Sequence, residues 1–122
     1  MIIVHGTFPI RLEVREKALD LMRQMSSATR EEEGCVSYEF FIGLSNPNTL
    51  LLFQEWETVD ALHDHFKTPH MELFLKELPD ILDGEVSTRR YEVRSADGML
   101  EEEEFVEFEQ PLPTEYRDKI VH

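Results

Sequence analysis

Residues 35–57 of the chain read CVSYEFFIGLSNPNTLLLFQEWE, and this stretch decides the fold. Residues 35–44 and 49–57 are two runs dense in Val, Tyr, Phe, Ile and Leu, which favour extended backbone. Between them, residues 45–48 read SNPN, and both Asn and Pro are turn formers. Two such runs joined by a short turn predict an antiparallel hairpin.

Both faces of the predicted hairpin carry large apolar side chains. Successive side chains of a strand point to opposite faces, so alternate residues share a face. In the first run Val36, Tyr38, Phe40 and Ile42 oppose Ser37, Glu39, Phe41 and Gly43, and in the second Leu50, Leu52, Gln54 and Trp56 oppose Leu51, Phe53, Glu55 and Glu57. We therefore expect both faces of the hairpin to be covered.

The segments on either side of the hairpin alternate between strand and helix. Before it, residues 2–9 are a short β-branched and aromatic run ended by a proline, which predicts a strand. After the hairpin, Thr58 and Thr68 each predict a helix start, Pro79 disturbs the second of these helices, and residues 86–94 predict a last strand. Between the first strand and the hairpin, an apolar stripe at three-four spacing predicts a helix that stops at Gly34: Val14, Ala18, Leu21, Met22, Met25 and Ala28.

The order of these elements predicts an α+β fold. Strand, helix, strand, strand, helix pair, strand is the ferredoxin-like βαββαβ arrangement, a four-stranded antiparallel sheet with both helical crossovers on one face. We assign it to residues 1–95, because a chain of 122 residues suits a single core. The uncovered face would leave aromatic side chains in water, and two sheets packed face to face would bury them. We therefore expect a homodimer that closes a dimeric α+β barrel.

Charge and composition exclude several classes of partner. The formal net charge of −14 would repel nucleic acid and anionic membrane surfaces. Cys35 is the one cysteine, so no internal disulfide can form, and a lone thiol suits a reducing compartment. The N-terminus has no basic region before its apolar run, and no apolar stretch approaches the roughly 20 residues of a membrane span. We expect a cytoplasmic protein.

The last part of the chain, residues 96–122, predicts an acidic C-terminal extension outside the domain. From residue 95 to the end, nine acidic residues face two basic ones. One interpretation is a mobile, solvated extension. In the other, Phe105, Val106 and Phe108 form a short arm laid over a sheet edge or over the partner subunit.

Three ordered motifs resemble the antibiotic-biosynthesis monooxygenase family, and especially its quinol-monooxygenase-like members. They are Glu33-Gly34-Cys35 leading into Tyr38-Glu39-Phe40, Pro47-Asn48-Thr49 leading into Gln54-Glu55-Trp56-Glu57, and His63-x-His65-Phe66-x-Thr68-Pro69-His70. The resemblance implies a dimeric α+β barrel and, for some members, oxygenation of hydroxylated aromatic rings without metal, flavin or haem. Haem-degrading members of the wider superfamily use an Asn and a His where this chain has Thr7 and Leu75, which argues against that activity.

A cofactor-free oxygenase of this kind must supply a base, an apolar pocket and a polar anchor for a substrate that is itself the electron donor. We take His65 as the base, because imidazole titrates near neutral pH and residue 65 lies on the inward side of its helix. Trp56 and His70 would orient the substrate. The remaining predicted substrate-binding residues are Tyr38, Phe40, Phe66 and His5.

Each of these assignments has an ordinary structural alternative. His65 could be a buried histidine with one hydrogen bond, His70 a solvent-facing residue of a first turn, and Trp56 a core anchor. We expect no metal, because no two histidines have the i, i+4 spacing of a helical metal-binding pair. We expect no cofactor either, since the substrate and dioxygen would suffice.

The functional hypothesis is therefore a cofactor-independent monooxygenase acting on quinols or related hydroxylated aromatic compounds. Two alternatives stay open at this point. One is a non-catalytic dimer that binds a small ligand. The other, which the resemblance implies through a close branch of the superfamily, is an isomerase of a phosphorylated small metabolite.

Overall fold

A computed structural model describes residues 1–94, so the predicted extension 96–122 lies outside the described residues. The strands are β1 (Ile2–Pro9), β2 (Cys35–Ile42), β3 (Thr49–Trp56) and β4 (Ser87–Glu92). A short 3-10 helix, Leu12–Val14, leads into α1 (Arg15–Arg30), and α2 (Val59–His65) and α3 (Pro69–Ile81) connect β3 to β4.

The four strands form one antiparallel sheet in the order β2-β3-β1-β4. The central pair joins β1 to β3, with Ile2 opposite Trp56 and Pro9 opposite Thr49. β4 pairs with the outer side of β1, and β2 pairs with β3. This is the predicted ferredoxin-like βαββαβ fold, and the prediction of four strands in an α+β arrangement is confirmed.

Local sequence explains where the helices begin. Thr58 accepts a hydrogen bond from the backbone N–H of Ala61 at 3.1 Å, and Thr68 accepts one from Met71 at 3.3 Å, so both threonines cap helices as predicted. Pro69 follows as the first residue of α3, where its missing N–H costs nothing. These caps fix the junction between α2 and α3.

The helices bury the core against one face of the sheet. Ala18, Met22 and Met25 of the predicted α1 stripe are buried, and Ser26 and Thr29 join them on the same side. Burying such side chains removes apolar surface from water and supplies most of the stabilisation. The buried apolar residues from the sheet and the other helices are Ile2, Phe8, Ile10, Tyr38, Leu50, Leu52, Trp56, Leu62, Phe74, Leu78 and Ile81.

Some details differ from the sequence-based expectation. α3 runs past Pro79 to Ile81, since a proline near a helix end removes just one hydrogen bond of the last turns. β4 is shorter than the predicted segment 86–94. On β2, Val36 is 48% exposed beside a register shift between Cys35 and Ser37, so it does not share the buried environment of Tyr38.

Gly34 sets the path of the loop between α1 and β2. Its φ is +85°, a backbone conformation that glycine adopts without steric cost. A Cβ here would lie 2.5 Å from the Cβ of Ala61 on α2, so the loop can approach that helix closely. The close approach places the residues just before Gly34 beside the end of α2.

Within residues 1–94, no helix is both long and apolar enough to cross a membrane.

Candidate active site

A cavity of about 280 Å³ lies between the helix-covered face of the sheet and helices α2 and α3. Its size suits a small ligand, since pockets for drug-sized molecules begin at roughly 300 Å³. Phe66, Leu75 and Thr88 are exposed and mark its mouth. The full lining is Val4, Gly6, Phe8, Tyr38, Leu52, Gln54, His65, Phe66, Met71, Phe74, Leu75, Leu78, Val86 and Thr88.

His65 is the titratable imidazole of this lining, and it is 1% exposed. It is the last residue of α2, and its ring packs against Trp56 with centroids 4.9 Å apart and against Tyr38 at 5.7 Å. Its Nδ1 lies 2.7 Å from Oε2 of Glu32. The structure therefore holds the ring by packing on one side and by a carboxylate on the other.

Oε2 of Glu32 also contacts a second histidine, His70. Nε2 of His70, in the first turn of α3, lies 2.6 Å from Oε2 of Glu32. The Glu32 side chain is 13% exposed and that of His70 is 25% exposed. Neither Glu32 nor His70 lines the cavity, so this carboxylate and the second imidazole stand behind the cavity wall that His65 forms.

The protonation state of His65 follows from its surroundings. Burial lowers the pKa of His65 because it disfavours the charged form, and the neighbouring His70 lowers it further. The hydrogen bond to Glu32 and the charge of Glu32 act in the opposite direction without reversing the shift. His65 is therefore neutral near pH 7, with Nδ1–H donating to Glu32 and the lone pair left on Nε2.

Two other groups near Glu32 hold their protons. Burial, and next the charge of Glu32, raises the pKa of the Tyr38 phenol. The same two causes raise the pKa of the Cys35 thiol, and the smaller effect of Arg30 does not offset them. The Tyr38 phenol and the Cys35 thiol are therefore both protonated near pH 7, and Cys35 is a poor nucleophile.

Trp56 does not face the cavity. It is fully buried, and its indole N–H donates to Oε1 of Gln54 at 2.7 Å. An indole N–H can only donate, so Gln54 must turn its carbonyl oxygen to Trp56. Gln54 lines the cavity, so its amide NH2 is the group left to donate to a ligand there.

Of the predicted substrate-binding residues, some line the cavity and others do not. Tyr38 and Phe66 line the cavity together with His65. Phe40 instead packs edge-on against Phe8 at 5.8 Å, and it is half-buried and lines a separate groove between α1 and β2. His5 points to the opposite face of the sheet, where its ring stacks on Tyr91 at 5.4 Å. Neither Phe40 nor His5 lines this cavity, and their contact with a substrate stays a prediction.

Two functional candidates were absent from the sequence-based set. Gln54 shares the alternation of Trp56 on β3, so strand periodicity could have indicated it. Glu32 lies in a run of three glutamates that resembles a solvated helix end, and no local pattern distinguishes it. Its role depends on the loop path that Gly34 permits.

The side chains of Glu32, His65 and His70 could together hold a metal ion. One donor atom each from Glu32, His65 and His70 lies within 4.8 Å of the others. The sequence-based expectation of no metal considered pairs on a single helix, whereas these donors come from a loop and two helices.

Comparison with known proteins supports the family assignment. The profile of the antibiotic biosynthesis monooxygenase family matches residues 1–77. A crystal structure of a protein from Deinococcus radiodurans, described as belonging to the same family, superposes with a TM-score of 0.73 at 27% identity, covering 80% of this chain and 97% of that one.

Three relatives of known sequence are also similar. YcnE of Bacillus subtilis, a proposed monooxygenase, is 25% identical over 76% of this chain and 98% of its own length. The uncharacterised sll1783 of Synechocystis is 29% identical over 75% of this chain, and YgiN of Escherichia coli, a proposed quinol monooxygenase, is 28% identical over 49%. The matched region spans 63% of sll1783 and 65% of YgiN.

The profile covers more than half of the chain, and the fold agrees with that of the Deinococcus structure. The chain belongs to the antibiotic biosynthesis monooxygenase family.

Proposed function

We propose that this protein is a cofactor-independent monooxygenase of quinols or related hydroxylated aromatic compounds, with dioxygen as co-substrate and His65 as general base. One observation carries the proposal: a buried, neutral imidazole lines an apolar cavity while its Nδ1 is held by Glu32. Membership of the family supports a monooxygenase, and the name of YgiN supports the quinol class.

The substrate itself supplies the electrons of the reaction. Nε2 of His65 accepts the phenolic proton, and the electron-rich phenolate passes one electron to dioxygen. The resulting semiquinone radical and superoxide combine through a new C–O bond, and the peroxide takes back the proton held by His65. Loss of water, formed from the ring hydrogen and the terminal O–H of the peroxide, leaves a hydroxyquinone. Quinol and dioxygen thus become hydroxyquinone and water, so no external reductant is required.

Glu32 and Gln54 have distinct supporting roles. When His65 takes up the proton, the carboxylate of Glu32 stabilises the imidazolium and keeps the ring oriented, as the acidic partner does in hydrolase triads. The NH2 of Gln54, fixed by the Trp56 hydrogen bond, donates to a substrate oxygen in the cavity. Trp56 therefore orients the anchor and does not itself contact the substrate.

The lining argues against the isomerase alternative. A phosphorylated metabolite needs cationic or strongly donating partners. Among the residues that the structure describes, the cavity lining contains neither Lys nor Arg. The non-catalytic ligand-binding alternative would use the same cavity, and turnover is what separates it from an enzyme.

Oxygen consumption by the chelator-treated full chain, measured with a panel of hydroquinones, tests the function. We expect turnover, and we expect His65→Ala to lower kcat by about 10²–10⁴-fold, the usual contribution of a general base. His63→Ala, an exposed residue on the same helix, is the matched control and should keep wild-type activity. Wild-type activity in His65→Ala would exclude it as the base. A ligand retained through purification without any turnover would support a binding protein.

The active form in this proposal is a homodimer joined by the sheet face opposite the helices. That face exposes Phe41 by 50%, Tyr91 by 44% and Leu51 by 36%, with Phe53 half-buried among them. Contiguous apolar surface of this kind usually marks an association site. Sedimentation at micromolar concentration should show dimers, and Leu51→Lys should dissociate them, whereas Leu44→Lys in the exposed turn should not. Single chains in the wild type would exclude the dimer.

A further inference from the structure

The side chains of Glu32, His65 and His70 bring three potential metal-binding atoms close together. Both histidine contacts end on the same oxygen, at 2.7 Å and 2.6 Å, and the three donor atoms lie within 4.8 Å of one another. A hydrogen atom now occupies each of the two short gaps. Two imidazoles and a carboxylate are a common set of ligands for zinc and neighbouring transition metals.

We propose that Glu32, His65 and His70 form a binding site for a divalent transition-metal ion of the Zn²⁺ class, and that the bound ion prevents His65 from acting as a base. The second half rests on the proposed function. The first half concerns binding alone and stands independently of it.

The donors meet the geometric needs of such an ion. Zinc lies roughly 2.0–2.2 Å from His nitrogen and carboxylate oxygen, so an ion between the three atoms requires small outward shifts of the side chains. His65 and His70 sit at adjoining helix ends, and the Thr68 hydroxyl donates to the carbonyl of His65 at 2.8 Å. The partial exposure of Glu32 and His70 gives an ion a route from solvent.

The lone pairs of a neutral imidazole explain the inhibition. The ring has one N–H and one lone pair, and the hydrogen bond to Glu32 puts the proton on Nδ1 and the lone pair on Nε2. An ion on Nδ1 takes up a lone pair there, so the proton must reside on Nε2. His65 then presents a donor to the cavity and cannot accept a phenolic proton. No net proton is gained or lost by the neutral ring.

An ion here would not contact the substrate. Glu32 and His70 are absent from the cavity lining, so the three donor atoms lie behind the wall that His65 contributes. The expected effect of the ion is therefore on His65 and not on dioxygen or on the quinol directly.

Binding is tested on the chelator-treated full chain with Zn²⁺ by calorimetry and with Co²⁺ by visible absorption. We expect one ion per chain, with affinity lowered at least about tenfold in Glu32→Gln and in His70→Ala. Glu32→Gln keeps the size of the side chain, and circular dichroism confirms that each variant is folded. His63→Ala, which alters an exposed histidine of the same helix, should bind like the wild type. Unchanged affinity in Glu32→Gln and His70→Ala, or an equal loss in His63→Ala, would overturn the site.

Inhibition is tested by adding Zn²⁺ to the oxygen-consumption assay. We expect activity to fall in step with the calorimetric occupancy and to return when the ion is chelated. Activity that is unchanged at full occupancy, or that requires the ion, would overturn the inhibition and leave the site in place. Absence of turnover with every quinol would overturn the proposed function, whereas the titration alone decides the site.

Discussion

The two faces of the sheet come from the same strands and have opposite properties. On the helix-covered face, Trp56 is fully buried and Tyr38 is 2% exposed. On the opposite face, Phe41 and Tyr91 are about half exposed. The alternation of side chains along each strand separates the two environments by a single residue.

The difference shows why the chemistry belongs to the covered face. Burial changes the proton affinity of His65 and Tyr38, and the helices bring Glu32 within hydrogen-bonding distance. On the open face, His5 contacts Tyr91 in an exposed setting. An open sheet face of this kind offers apolar area for association.

The largest expected loss of stability comes from truncating a large buried side chain on the helix-covered face. Trp56→Ala should lower the free energy of unfolding by about 3–5 kcal/mol, because it removes a large buried side chain and leaves a cavity. Tyr91→Ala on the open face should cost under about 1 kcal/mol within one chain. Denaturant titration of both variants in the Leu51→Lys background, which removes association through the open face, measures these single-chain costs. Equal losses would contradict the contrast between the faces.

A smaller effect is expected from the polar pair on the covered face. Gln54→Leu should cost about 1–3 kcal/mol, since the indole N–H of Trp56 loses its acceptor while it stays buried. Combining Gln54→Leu with Trp56→Phe should recover part of that loss. Denaturation of the two single variants and the double variant checks this coupling, and strict additivity would show that the hydrogen bond contributes nothing.

Acid should destabilise the protein through His65. Because its pKa is lowered by burial, the unfolded chain takes up the proton first as the pH falls below about 6.5. The stabilisation from a neutral His65 is therefore complete above that value and is lost as the pH falls toward the folded pKa. Melting temperatures between pH 8 and pH 5 should show this slope, and His65→Gln should flatten it. An identical slope in His65→Gln would assign the effect to other groups.

The smallest effect is expected from the histidine of the open face. In the monomeric Leu51→Lys background, His5→Ala should change stability by within about 0.5 kcal/mol, because its 3.3 Å contact with the Tyr91 hydroxyl is exposed there. In the otherwise unchanged chain, oxygen consumption by His5→Ala with quinols should match the wild type. A loss of turnover comparable to that of His65→Ala would place His5 in the site and would contradict the division between the two faces.

Strand and cap patterns were the most informative part of the sequence. The SNPN turn, the apolar stripe of α1 and the threonines at 58 and 68 each act through near neighbours in the chain, so they predict elements well. Phe40 and His5 show the limit of such reasoning. Strand alternation places Phe40 on one face and His5 on the other, but which part of a face borders a cavity depends on how the helices pack.

The sequence by itself determined the order of elements, the sheet with helices on one side and the inward position of His65, because periodicity and caps are local properties. The tertiary structure alone decided that Glu32 would join His65 and His70. These residues lie 33 and 38 positions from Glu32, and their meeting requires a loop that bends at Gly34 against α2. Burial and a distant carboxylate then set the protonation of His65, and neither can be read from its neighbours in the chain.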